Sequence, residues 1–250
     1  PLGADPESTL EEFAETQTGK APVRGPEGKI AVTEDMALVF VLLPGGTFTM
    51  GAQSTDPSGP NYDADATGEE GPPRAVTLAP FLLSKYEMTQ GQWSRFVGVN
   101  PSQYGPASKF GDKQHDLRHP VEKVSWEDCQ RELGRLGYLL PTEAQWEYGC
   151  RAGTSAPWWC GPEKEALRTA ANLADAFCKA NGGPPSWTFE DWDEGYGAHA
   201  PVGTFRANGF GLHDVHGNVG EWCADGFGGY AERDPRSGDG LRCCGGACRR

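Results

Sequence analysis

Residues 207–225 hold the densest set of groups able to hold a hard cation. The run reads Ala207-Asn208-Gly209-Phe210-Gly211-Leu212-His213-Asp214-Val215-His216-Gly217-Asn218-Val219-Gly220-Glu221-Trp222-Cys223-Ala224-Asp225. This mixture suits neither an amphipathic helix nor a regular strand. Glycine admits positive φ and close backbone approach, and Asp and Asn favour turns. Irregular backbone packed under aromatic rings leaves carbonyls without ladder partners, and buried carbonyls must be satisfied. Calcium does this well, because it accepts six to eight oxygens from carboxylates, amides and carbonyls. Asp214 and Glu221 could give carboxylates, and Gly217 and Val219 could give carbonyls. The metal-free alternative is a network of Asx turns.

The elements that must position this stretch announce themselves upstream. Thr89 with Gln92, Ser125 with Asp128 and Thr142 with Gln145 each place a capping oxygen three residues before a polar partner. The spacing predicts three helices. The first buries Trp93, Phe96 and Val97. The second buries Cys129, Leu133 and Leu136 and is cut short by Gly134 and Gly137. The third runs to about Arg151 with Trp146 and Cys150 on one face. The apolar run Ala37 to Leu43 predicts a buried strand, with Thr47-Phe48-Thr49-Met50 as its hairpin partner beyond Pro44-Gly45-Gly46. Val76 to Leu78 and Phe81 to Leu83 are shorter strands. Residues 52–74 form a long acidic loop, and after Gly153 no long periodic segment remains. Residues 1–35 read as a polar linker or tail, with a short helix begun by Ser8 and Glu11. That leaves 36–250 as the folded domain and an upstream domain as an expectation.

Composition narrows the function. The net charge of −13 argues against nonspecific binding to nucleic acid or anionic membranes. No run approaches the roughly 20 apolar residues of a membrane span. Glycine (35) and proline (20) together are about a fifth of the chain, which with ordered aromatics reads as a loop-rich folded domain. The eight cysteines include no Cys-x-x-Cys pair, so structural zinc on thiolates is not expected. Among the five histidines, His213 and His216 stand three apart but in glycine-rich chain, not on a helix. His119 before Pro120 reads as structural.

Asn208 to Trp222 resembles the signature of the formylglycine-generating enzyme (sulfatase-modifying factor) family, usually written N-x-[FY]-G-L-x-D-M-x-G-N-V-W-E-W. Leu43 to Gly51, Tyr86 to Thr89, His119 to Val121, Val124 to Trp126, Leu140 to Tyr148 and Ala200 to Gly203 agree with it in the same order. The resemblance covers roughly residues 38 to 248. It implies an α+β fold of formylglycine-generating-enzyme (C-type-lectin-like) type, with sparse secondary structure, short strands and about three helices. It also implies two calcium sites. One comprises the Asn172 side chain, the Leu173 carbonyl, Glu194 (where the family has Asp) and the Tyr196 carbonyl. The other comprises Asp214, the Gly217 and Val219 carbonyls, and Glu221.

The family oxidises a peptide cysteine with copper held by two cysteines after an Arg-Gly-Gly-Ser-aromatic segment. Here that segment is Cys244-Gly245-Gly246-Ala247-Cys248-Arg249-Arg250, which puts Arg250 at the first catalytic cysteine. Cys243, Cys244 and Cys248 are out of register. The domain therefore reads as truncated at its C-terminus, with copper expected only if further chain supplies a cysteine pair. The alternatives are a non-catalytic binding module on the same scaffold, presenting a peptide, protein or displayed ligand, and a non-haem iron sulfoxide synthase relative.

Overall fold

The computed structural model describes residues 1–230 and 233–242. Its secondary structure is sparse, as the composition implies. A four-stranded antiparallel sheet takes the order β1 (Gly3–Ala4), β2 (Glu11–Glu15), β3 (Leu38–Leu43), β6 (Phe81–Ser84). A two-stranded sheet pairs β4 (Gly46–Met50) with β5 (Arg74–Leu78). A small hairpin joins β7 (Lys109–Phe110) to β8 (Lys113–Gln114). Three helices follow the capping signals: α1 (Gln90–Val97), α2 (Trp126–Arg135) and α3 (Glu143–Arg151). A short α4 (Ala176–Ala180) is capped by Asp175, whose Oδ1 accepts the Cys178 amide at 2.8 Å.

Two expectations are corrected. Residues 46–50 do not return along β3, because β3 is already flanked by β2 and β6. They pair instead with β5, and Gly45 turns the chain at φ 69° where a side chain would strike the Leu78–Pro80 backbone. Residues 11–15 form a strand, not the helix begun at Ser8, and residues 1–35 are not a loose linker. Glu12 is fully buried and bonds the buried Lys85 at 2.6 Å and Arg24 at 2.7 Å. A buried acid satisfied by two cations fixes the N-terminal segment onto the sheet.

The capping boxes are complete on all three helices. Gly98 in the left-handed region closes α1, and α2 stops at Arg135, just after Gly134. On α2 the buried positions are Cys129 and Glu132; Leu133 and Leu136 are only half-buried. The cap of α3 serves twice: Thr142 Oγ1 accepts the Gln145 amide at 3.1 Å and donates to the Asp239 carbonyl at 2.5 Å. Thr142→Ala is therefore expected to cost about 1–2 kcal/mol, toward the upper end for a lost N-cap, read by denaturant unfolding. A loss below about 0.3 kcal/mol would contradict this role.

The main core joins both sheets, α3 and the signature stretch through Val41, Leu43, Met50, Val76, Leu78, Tyr148, Leu212 and Tyr230. Buried Asn208 ties the signature to α3. Its amide donates to the Gly149 carbonyl at 2.7 Å and the Cys150 carbonyl at 3.1 Å, and its oxygen accepts the Phe210 and Leu212 amides. Asn208 thus satisfies carbonyls at the end of the helix while bending the loop that carries Leu212 into the core.

Candidate functional site

The signature stretch folds without helix or strand, and Asp214, Gly217 and Asn218 all adopt positive φ. Gly217 passes so close to Asn172 that a Cβ would lie 2.2 Å from the Asn172 carbonyl oxygen. That contact joins the two sets of expected ligands. Asn172 and Gly217 form a parallel bridge, and the Asn218 amide donates to the Asn172 carbonyl at 2.9 Å.

In the second set, Asp214 is buried. Its Oδ2 accepts the Gly203 amide at 2.7 Å, while its Oδ1 is buried without a hydrogen-bond partner. Burial pushes the Asp214 carboxyl up to about 6. Glu221 lies at the surface as a residue, yet its carboxyl is enclosed. Burial, and then the charge of Asp214, pushes it up to about 8. Glu87 is a third acid that sequence reasoning missed. Its carboxylate accepts Asn218 Nδ2 at 2.6 Å and the Val219 amide at 3.2 Å. Burial, then Asp214 and Glu221, holds it well above the usual carboxylate range. The signal was an acid between Tyr86 and Met88, just before the Thr89 cap. Three acids raised by burial and one orphaned carboxylate oxygen fit a cation by charge and donor type. The Gly217 and Val219 carbonyls take no part in the backbone hydrogen bonds of the described residues and remain available as ligands.

The first set is less open. Glu194 Oε2 accepts the Leu173 amide at 2.8 Å, and Oε1 accepts Trp192 Nε1. Burial raises Glu194 to about 7. Buried Asp175, whose role sequence reasoning also missed, accepts the Glu194 amide at 2.6 Å. Asn172 Oδ1 is buried and unpartnered. The Tyr196 ring packs on Phe205 and under Lys113, and its carbonyl is free of backbone hydrogen bonds. Each set thus holds one orphaned side-chain oxygen with carbonyls beside it, and both fit calcium by donor type.

The stretch from Val215 to Cys223 forms one wall of a cleft of about 1230 Å³. Trp126, Trp146, Trp187, Trp222, Phe227 and Tyr230 line it, together with Glu69, Glu70, Glu127, Glu143, Glu221 and Asp225; among the described residues no Lys or Arg does. Trp187, Trp222 and Phe227 are exposed there. Asp225 braces the floor, accepting the Glu143 amide at 2.7 Å and the Arg242 amide at 2.6 Å.

Cys129, Cys150, Cys160, Cys178 and Cys223 are unbridged, and burial raises every one, Cys150 and Cys223 up to about 12. Such thiols stay protonated at neutral pH in the metal-free chain. Among the described residues no cysteine joins a cluster of three ligand atoms. Cys243, Cys244, Cys248 and Arg250 lie outside the described residues. His213 and His216 do not form a pair: His213 stacks on Tyr86 and contacts the Phe205 carbonyl, while His216 accepts the Trp159 amide beside Cys150.

The profile of the Sulfatase-modifying factor enzyme 1-like domain matches residues 29–249. The chain belongs to this family. It is 31% identical to a formylglycine-generating enzyme of Thermomonospora curvata, over 77% of this chain and 73% of that protein. It is 28% identical to a Bos taurus protein named inactive C-alpha-formylglycine-generating enzyme 2, over 74% of this chain and 70% of that one. Among solved structures, PvdO from Pseudomonas aeruginosa aligns with a TM-score of 0.60 at 28% identity, covering 83% of this chain and 79% of that one. Among the described residues no helix is long and apolar enough to cross a membrane.

Proposed function

We propose that this domain binds an extended, arginine-bearing peptide in the cleft, that calcium on Asp214, Gly217, Val219 and Glu221 holds the cleft wall in shape, and that the described residues do not oxidise the peptide. The observation that carries this reading is the lining of the cleft. Aromatic faces accept an extended chain and a guanidinium; with Glu143 paired to Arg242 and Glu221 given to calcium, Glu69, Glu70, Glu127 and Asp225 remain to favour a basic ligand. The family resemblance points the same way, since family substrates present a cysteine within a Cys-x-Pro-x-Arg segment. A second calcium on Asn172, Leu173, Glu194 and Tyr196 would tie residues 172–196 to the same wall. Calcium supplies charge and coordination here and takes no part in bond making.

Tryptophan fluorescence tests the reading, because four exposed or partly exposed indoles line the cleft. Titration with a Cys-x-Pro-x-Arg peptide is expected to give a saturable change. Replacing the peptide's arginine by alanine should weaken binding about tenfold, as loss of a charge-assisted contact worth roughly 1.4 kcal/mol would. Mass spectrometry of the same peptide after incubation with copper in air should show no aldehyde. Absence of saturable binding, or aldehyde formation, would overturn the proposal.

A further inference from the structure

His115, His119 and His199 come from two loops some 80 residues apart in sequence, yet they meet in the interior. One ligand nitrogen of each lies within 4.8 Å of the others, and the ring centroids are 4.9, 5.2 and 5.2 Å apart. All three side chains are buried, at 3% exposure each. His199 is the telling member: both its ring nitrogens are buried and neither has a partner. Leaving such groups unpaired is costly.

We propose that these three imidazoles form a binding site for one divalent transition-metal ion, zinc first, separate from the calcium-type sites. Imidazole is the ligand that zinc, copper, iron and nickel share. Tetrahedral zinc at its usual Zn–N distance needs donors about 3.3 Å apart, within reach of small side-chain rotations from the present arrangement.

Hydrogen bonds already orient two of the rings. His119 Nδ1 faces the Asp116 carbonyl at 3.1 Å and the Asp116 carboxylate at 3.3 Å, against one donor, the Asp116 amide at 3.1 Å. In the metal-free chain the Asp116 amide makes Nδ1 an acceptor; ligation through Nε2 needs Nδ1 to take the proton and turn it to the Asp116 carbonyl or carboxylate. His115 Nδ1 faces the Ser108 carbonyl at 3.3 Å and its hydroxyl at 3.1 Å, which directs Nε2 inward in the same way. Carboxylates and carbonyls of this kind fix the tautomer of metal-binding histidines. Burial, then the charges of His119 and His115, lowers His199 to about 3, so its ring is neutral at physiological pH. The cluster ends at three histidine, cysteine or carboxylate ligands among the described residues, so an ion there keeps a position for water or a ligand atom. The site also touches the calcium region through the chain: Asn172 Nδ2 donates to the Ala198 carbonyl, and the Ala200 amide donates to Asn218.

Metal titration of the whole chain tests this. After chelation the protein is returned to excess calcium, which saturates the oxygen sites, and titrated with Co²⁺. The expected result is one Co²⁺ per chain with visible ligand-field bands of nitrogen coordination, no thiolate charge-transfer band, and displacement by Zn²⁺. His199→Ala should lose that one equivalent while keeping the wild-type far-ultraviolet circular dichroism. If the variant fails to fold, histidine ring nitrogen resonances of the wild-type chain decide the matter: three rings should shift together on zinc addition. A thiolate band that survives in His199→Ala, no cobalt uptake, or unmoved ring resonances would overturn the site.

Discussion

A chelator is expected to lower the unfolding temperature of the wild-type chain, and Glu221→Ala is expected to remove the part of that response owed to the ion on Asp214 and Glu221. A ligand that binds only the folded state stabilises by mass action, about 2.7 kcal/mol at a hundredfold excess over its dissociation constant. Without the ion, burial raises Asp214, Glu221 and Glu87, and the charge of Asp214 raises the other two further. The sign follows directly. A carboxyl raised in the folded state holds its proton to higher pH than the unfolded chain does, so stability falls as pH rises. The window runs from the ordinary values of about 4 to the folded values of about 6 for Asp214 and about 8 for Glu221. In chelator, the unfolding temperature should therefore drop between about pH 4 and 8. In calcium, the ionised acids are the bound form, and the drop should vanish. Identical melting curves with and without chelator across that range would contradict the assignment.

Glu12→Ala is expected to destabilise the chain by about 3–5 kcal/mol, because it strips the partner from buried charge. Lys85 is buried and its remaining acid is Asp5 at 3.3 Å; Arg24 would keep its bond to the Gly28 carbonyl at 2.8 Å, with Asp5 at 3.7 Å as its nearest acid. The effect should appear as a lower denaturant midpoint with an unchanged slope, the mark of altered stability in a two-state transition. A change below about 1 kcal/mol would mean that residues 1–35 add little to the fold.

The contrast between these residues explains what was legible in the sequence. The three capped helices could be read because a capping box is local: Thr142 and Gln145 satisfy each other within one turn. The β3 strand could be read because its apolar run is continuous. The partner of β4 could not, since pairing with β5 spans some 30 residues and depends on β2 already occupying one side of β3. The N-terminal strand was hidden because its buried face carries Glu12, a residue that reads as solvent-exposed until Lys85 and Arg24 are brought to it. In the site, Asp214 and Glu221 lie within one glycine-rich run and were visible. Glu87 joins them from more than a hundred residues away, and its bonds to the Asn218 side chain and the Val219 amide reveal it. His119 looked structural beside Pro120 because His115, four residues before it, makes a ligand set only with His199, which comes from a loop some 80 residues further on.

Peptide affinity measured with and without calcium bears most directly on the central claim, that a calcium-shaped wall makes the cleft a peptide site. Residues 217–221 supply both the expected ligands and the lining of the cleft. Fluorescence titration with the Cys-x-Pro-x-Arg peptide should give saturable binding in calcium. In chelator, at a temperature where the chain remains folded, the affinity should fall at least tenfold, about 1.4 kcal/mol. Equal affinity in calcium and in chelator would contradict the account.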